Sequence, residues 1–122
     1  MGFTVHEHAV DAILEFVYPE APTAAEVRDY CIEVRRLVDR QRGPWCCLVD
    51  QRKLPVMPPE FMEQVKALNV YASRRGMRKT ARLVTSAVAS LQASRFAREV
   101  HLADALRVFT SRDLALEWLK LR

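Results

Sequence analysis

Trp45-Cys46-Cys47-Leu48-Val49-Asp50 and Thr80-Ala81-Arg82-Leu83-Val84-Thr85 are apolar, strand-like runs, each ending in a polar residue and each flanked by amphipathic helical stretches. Strands alternating with helices predict an α/β protein with a parallel sheet. In open sheets of that kind, sites gather at the carboxyl ends of the strands. That places Asp50 and the Thr85-Ser86 pair on one rim, provided the two strands are neighbours.

Working outward, Phe3 to His8 alternates apolar and polar residues, and Ala12 to Tyr18 is a second strand-like run broken by Glu15. Together they predict an antiparallel hairpin turning near Ala9 to Asp11. Pro19 and Pro22 stop the second strand. Thr23-Ala24-Ala25-Glu26 fits a capping box, which opens a helix ending near Gln41, before Gly43 and Pro44. Val27, Tyr30, Cys31, Val34, Leu37 and Val38 form its apolar stripe.

After Asp50, prolines at 55, 58 and 59 forbid regular structure until Pro59, which suits the first turn of a second helix. Phe61, Val65, Leu68 and Ala72 face inward there, and Gly76 closes the segment. A third helix is predicted over Val88 to Val100, with Leu91, Phe96 and Val100 apolar. Leu106 to Phe109 is a short strand, and Thr110 or Ser111 caps a last helix whose shared face is Leu114, Ala115, Trp118 and Leu119. The predicted order is β-β-α-β-α-β-α-β-α, in a single domain over residues 1–122.

The chain has 122 residues, half of them apolar, and a net charge of +4. Met1 to Glu33 holds seven acidic residues and one basic residue, for −6; Val34 to Arg122 holds eight acidic and eighteen basic, for +10. Such polarity can support association of surfaces or attract an anion. No apolar run approaches the roughly 18 residues of a membrane span, and no basic-then-apolar leader opens the chain. The three cysteines, Cys31, Cys46 and Cys47, lack paired spacing. They are expected as reduced, buried, hydrophobe-like thiols in a cytoplasmic protein.

The chain resembles the SpoIIAA-like superfamily, which includes STAS domains, and in particular its bacterial branch of stand-alone domains. Leu48-Val49-Asp50, the proline-rich entry to the second helix, Ala81-Arg82-Leu83-Val84, and Arg107 to Ser111 followed by Ala115-Leu116-Glu117-Trp118-Leu119 carry the resemblance. It implies a mixed five-stranded sheet with helices largely on one face, and a non-catalytic role in protein association. In anti-sigma-factor antagonists of the superfamily, a serine at the start of the helix after the central strand is phosphorylated. Here that segment reads Val56-Met57-Pro58-Pro59-Glu60-Phe61 and has no hydroxyl residue, so the phosphoswitch is not carried over. Related folds also bind lipids or nucleotides, and a small ligand is an expectation by analogy alone.

The candidate ligand site is Asp50, Arg52 and Ser86, where an arginine and the donors at a helix start would hold an anion. The structural alternative is that Asp50 caps a loop and Arg52 is solvated. Leu54, Val56, Met57, Phe61 and Met62 exceed what one inward stripe needs, and some are expected to meet a partner or line a lipid-like pocket. The His6-x-His8 pair reads as an exposed strand face rather than a metal site. Between Arg74 and Arg82 five of nine residues are basic, read as a solvated helix end rather than a nucleic-acid surface.

Glycine-rich phosphate loops and a nucleophile–histidine–acid pattern are absent from the sequence, and no cofactor or metal is expected. The expected partners are a second copy of the chain, another protein, or a small anionic or lipid-like ligand. The alternative function is a small hydrolase or transferase using Ser86 or Cys47.

Overall fold

The structure is a computed structural model that describes residues 2–102 and 104–121. Its elements are β1 (Thr4–His8), β2 (Ile13–Val17), α1 (Ala24–Asp39), β3 (Trp45–Asp50), α2 (Pro59–Ser73), β4 (Met77–Leu83), α3 (Ala87–Glu99), β5 (Leu106–Phe109) and α4 (Arg112–Lys120). The five strands form one sheet in sequence order. β1 and β2 pair antiparallel, and the remaining neighbours are parallel. The Trp45-led and Thr80-containing strands therefore lie side by side and point the same way.

Strand order and crossover hand decide the layers. Right-handed crossovers that each step one strand in the same direction deposit their helices on one face. Accordingly α1, α2 and α3 pack on one side through Val34, Leu37, Val65, Leu68, Phe96 and their neighbours, over Leu14, Phe16, Cys47 and Val49. The last helix follows the last strand and has no further strand to reach, so it folds back under the sheet. There Ala115 and Leu119 of α4 meet Ile13, Cys46, Leu48, Ala81 and Leu83. Lys79 Nζ pins the end of α4 by donating to the carbonyls of Trp118 and Leu121.

Local signals set several boundaries. Thr23 Oγ1 accepts from the Glu26 amide at 3.1 Å while Glu26 Oε1 accepts from the Thr23 amide at 2.9 Å, completing the capping box. Gly76 lies two residues past the α2 C-cap with φ +97°, and a Cβ there would meet the Gly43 carbonyl at 3.1 Å. Only glycine fits that turn comfortably.

Three local expectations are corrected. β4 runs from Met77 to Leu83, not from Thr80 to Thr85, because pairing with Trp45 draws Met77 to Lys79 into the ladder. The buried stripe of α3 is Ala89, Ala93, Phe96 and Ala97, with Leu91 68% exposed. In α4 only Ala115 and Leu119 are buried, and Leu114 faces solvent. In both helices alanines take the sheet-facing positions, because a small side chain lets the helix approach closely.

Candidate functional site

The expected rim assembles at the carboxyl ends of β3 and β4. Asp50 is followed by a chain reversal in which the Gln51 amide donates to Leu83 O, extending the β3–β4 ladder. Arg52 folds back on Asp50: Nε donates to Oδ1 at 2.9 Å, Nη2 to Oδ2 at 2.8 Å, and the Arg52 amide to Oδ1 at 3.1 Å. Burial pushes the Asp50 carboxyl up, but the hydrogen bonds from Arg52 outweigh it and hold the group below the ordinary aspartate range. Arg52 neutralises its own neighbour.

Ser86 stands at the N-cap of α3. Its hydroxyl accepts from the Ala89 amide at 3.0 Å and donates to Pro55 O at 2.9 Å. Thr85 Oγ1 donates to Arg52 O at 3.3 Å. The hydroxyls at the end of β4 thus stitch the β3–α2 loop to the α3 start. Asp50, Arg52 and Ser86 are on the same rim, and their polar atoms are engaged with one another and with this loop.

The five residues of the expected apolar patch divide. Leu54, Met57 and Phe61 are buried in the three-helix core, Met62 is half-buried against it, and Val56 is 49% exposed. Gln92 of α3 holds the loop from the other side: its Oε1 accepts from the Met57 amide at 3.1 Å and its Nε2 donates to Met57 O at 3.2 Å. Between α2 and α3 runs a groove of about 240 Å³ floored by Met57, Pro59, Met62 and Phe96. Lys66, on its rim, is ion-paired with Glu99 and Glu63. Val88 and Leu91 of α3 are exposed.

Two buried charges were not singled out by the sequence reading. Glu15, 5% exposed on β2, faces α4 and accepts from Arg112 Nε at 2.9 Å, Arg112 Nη2 at 2.7 Å and His8 Nε2 at 2.8 Å. The Arg112 guanidinium, reinforced by His8 and opposed by burial, holds its carboxyl down at about 2. Arg82, 2% exposed on β4, lies on the three-helix face. It donates from Nη1 to Gln51 Oε1 at 2.9 Å and stacks 5.1 Å from the Phe96 ring centroid. Both were detectable as a charge inside an otherwise apolar strand run.

Folding also takes apart the basic segment from Arg74 to Arg82. Arg75 stacks on Tyr71 at 3.6 Å and pairs with Asp39, Lys79 holds α4, and Arg82 is internal. Arg74 and Arg78 remain exposed. His6 is exposed on β1, while His8 is committed to Glu15. Among the described residues, no group of three His, Cys, Asp or Glu side chains is placed to hold a metal ion. Cys46 and Cys47 are buried on opposite faces, whereas Cys31 is half-exposed and donates to Gln64 Oε1 at 3.4 Å. Burial pushes the Cys47 thiol up to about 12.

A sequential mixed sheet with three helices on one face and a returning fourth beneath is the SpoIIAA-like fold of STAS domains, and this chain has it. The solved structures it is similar to include an uncharacterised protein of the DUF3478 family with a SpoIIAA-like fold from Shewanella loihica PV-4. That pair has a TM-score of 0.76 at 14% identity, covering 97% of this chain and 94% of the other. An anti-sigma-factor antagonist (STAS) domain protein from Planctomyces limnophilus superposes with a TM-score of 0.72 at 11% identity, covering 99% of this chain and 100% of the other. No family model matches the sequence, and no curated protein is similar to it. Among the described residues no helix is long and apolar enough to cross a membrane.

Proposed function

We propose that this chain is a non-catalytic interaction module that docks another protein on the surface formed by the 51–58 loop and the exposed face of α3. The observation that carries the reading is a loop held rigid from beneath and from the side. Leu54 and Met57 anchor it in the core, Gln92, Ser86 and Thr85 grip its backbone, and Val56 is left exposed, as are Val88 and Leu91 on α3. Preorganised apolar residues with satisfied backbone around them lose little entropy on binding. The α2–α3 groove, at about 240 Å³, falls below the roughly 300 Å³ at which pockets for drug-sized ligands begin, so a protein surface suits it better than a lipid.

The non-catalytic part of the reading is supported by the two candidate nucleophiles. Ser86 spends its hydroxyl on a helix cap and a loop carbonyl, and Cys47 is a buried, protonated thiol. Thiolate rather than thiol attacks, so such a cysteine is inert at neutral pH. The similarity to an anti-sigma-factor antagonist domain is one of fold and agrees with a docking role.

Photo-crosslinking in the native host tests the surface. A photoreactive residue at Leu91 is expected to give a discrete protein adduct, one at Leu114 on the opposite side none, and Val56→Asp is expected to abolish the Leu91 adduct. Equal adducts at both positions, or none at either, would remove the reading.

A further inference from the structure

Arg82 is sealed inside the protein with most of its hydrogen-bonding capacity unused. Among the described residues its Nε and Nη2 make no full hydrogen bond, and neither does Asn69 Oδ1 of α2. Among the described residues no carboxylate pairs with it. Gln51 Oε1 takes one donor, and the Phe96 ring offers its negative face, but neither carries a formal charge. An interior guanidinium without a counter-charge is among the most costly arrangements a fold can hold.

The acids that surround it do not supply that charge. Tyr18, whose hydroxyl oxygen the guanidinium approaches as a donor, lies within its field with Tyr30 and Cys47, and burial pushes all three above their ordinary values, Tyr30 well above. All three stay neutral at pH 7. The Tyr30 hydroxyl spends its proton on Tyr18 at 3.2 Å.

There is room beside it. Arg82, Asn69, Thr80, Cys47, Val49 and Tyr30 line an interior cavity of about 30 Å³, whose remaining lining is also buried except for Met77. Roughly 10–15 Å³ holds one water-sized species. By that measure the cavity has room for about two such species, with Arg82 and Asn69 both in its lining.

We propose that this cavity is a built site for one small monovalent anion of halide size, held by Arg82 Nε and Nη2, with a water bridging to Asn69. The anion supplies the missing charge, and the apolar remainder of the cavity excludes larger or more hydrated ions. It is separate from the Asp50–Arg52–Ser86 rim, whose arginine already has its carboxylate.

Bromide is the probe, because it scatters anomalously and is close to chloride in size. Crystals grown in sodium bromide are expected to show an anomalous peak within contact distance of Arg82 Nε and Nη2; water-only density there overturns the proposal. In solution, with sodium acetate holding ionic strength constant, each tenfold rise in bromide above its Kd should raise the Tm by about 5 °C. Arg82→Met, which keeps side-chain length among apolar neighbours, is expected to remove that dependence while still melting cooperatively. An equal bromide dependence in Arg82→Met would also overturn it, and the wild-type crystal decides the matter if the variant fails to fold.

Discussion

Glu15 and Arg82 are both strand residues, both nearly sealed at 5% and 2% exposure, and they lie on opposite faces of one sheet. On the α4 face Glu15 meets a bidentate arginine and a histidine. On the three-helix face Arg82 meets one neutral amide and an aromatic ring. The difference follows from cover. α4 is a single helix of nine residues, and Arg112 at its start, 39% exposed, reaches in from the edge with its own solvation partly intact. Three helices cover Arg82, and among the described residues no carboxylate pairs with it. A thin layer lets the chain neutralise a buried charge by itself, and a thick one leaves the task to something small enough to enter.

The largest effect is expected from breaking the satisfied side. Arg112→Met should destabilise the protein by about 2 kcal/mol at pH 7, because it leaves a buried carboxylate with His8 alone. The same pair fixes a pH window. Glu15 has a folded value of about 2 against an ordinary 4.5, so its contribution is complete above about pH 4.5 and is lost as pH falls toward 2. Urea unfolding at pH 7, 4 and 3 should therefore show the cost of Arg112→Met shrinking with acid. A constant cost across that range would mean Arg112 acts through packing and not through Glu15.

On the other face, Gln51→Met removes the side-chain oxygen that accepts from Arg82 Nη1, while keeping volume in a fully buried position. An isolated guanidinium then loses a charge-assisted bond, and about 1 to 2 kcal/mol of stability should go with it. If denaturant melts show no loss, Arg82 is compensated by other means, and its contrast with Glu15 disappears.

What was legible in the sequence was local. Trp45 to Asp50 could be read as a strand, Thr23 with Glu26 as a helix start and Pro59 as another, because each signal is complete within a few residues. The rim was legible as a place, since strand ends in a parallel sheet share one side. Its chemistry was not: Met57 and Gln92 meet across 35 positions and Glu15 and Arg112 across 97, and no local pattern encodes such partners. Leu91 and Leu114 misled for a different reason. Bulk suggested burial, whereas close helix-to-sheet packing selected the alanines beside them. Arg82 carried a usable signal, because a central parallel strand is covered on both faces and a charge within it has nowhere to be solvated.

The smallest effect concerns the third partner of Glu15. His8 lies on the edge strand and is itself partly exposed, and its ring nitrogen donates one hydrogen bond to Oε1, an oxygen that also accepts from Arg112. Removing it leaves the bidentate arginine in place, so no buried charge is stranded. His8→Ala should cost about 0.5 kcal/mol in urea unfolding at pH 7, several-fold less than Arg112→Met. The double variant should then cost more than the sum of the two, since Glu15 would lose every partner at once. Simple additivity would show that the histidine contributes to the strand edge and not to the carboxylate, and would reduce the satisfied side of the sheet to a single ion pair.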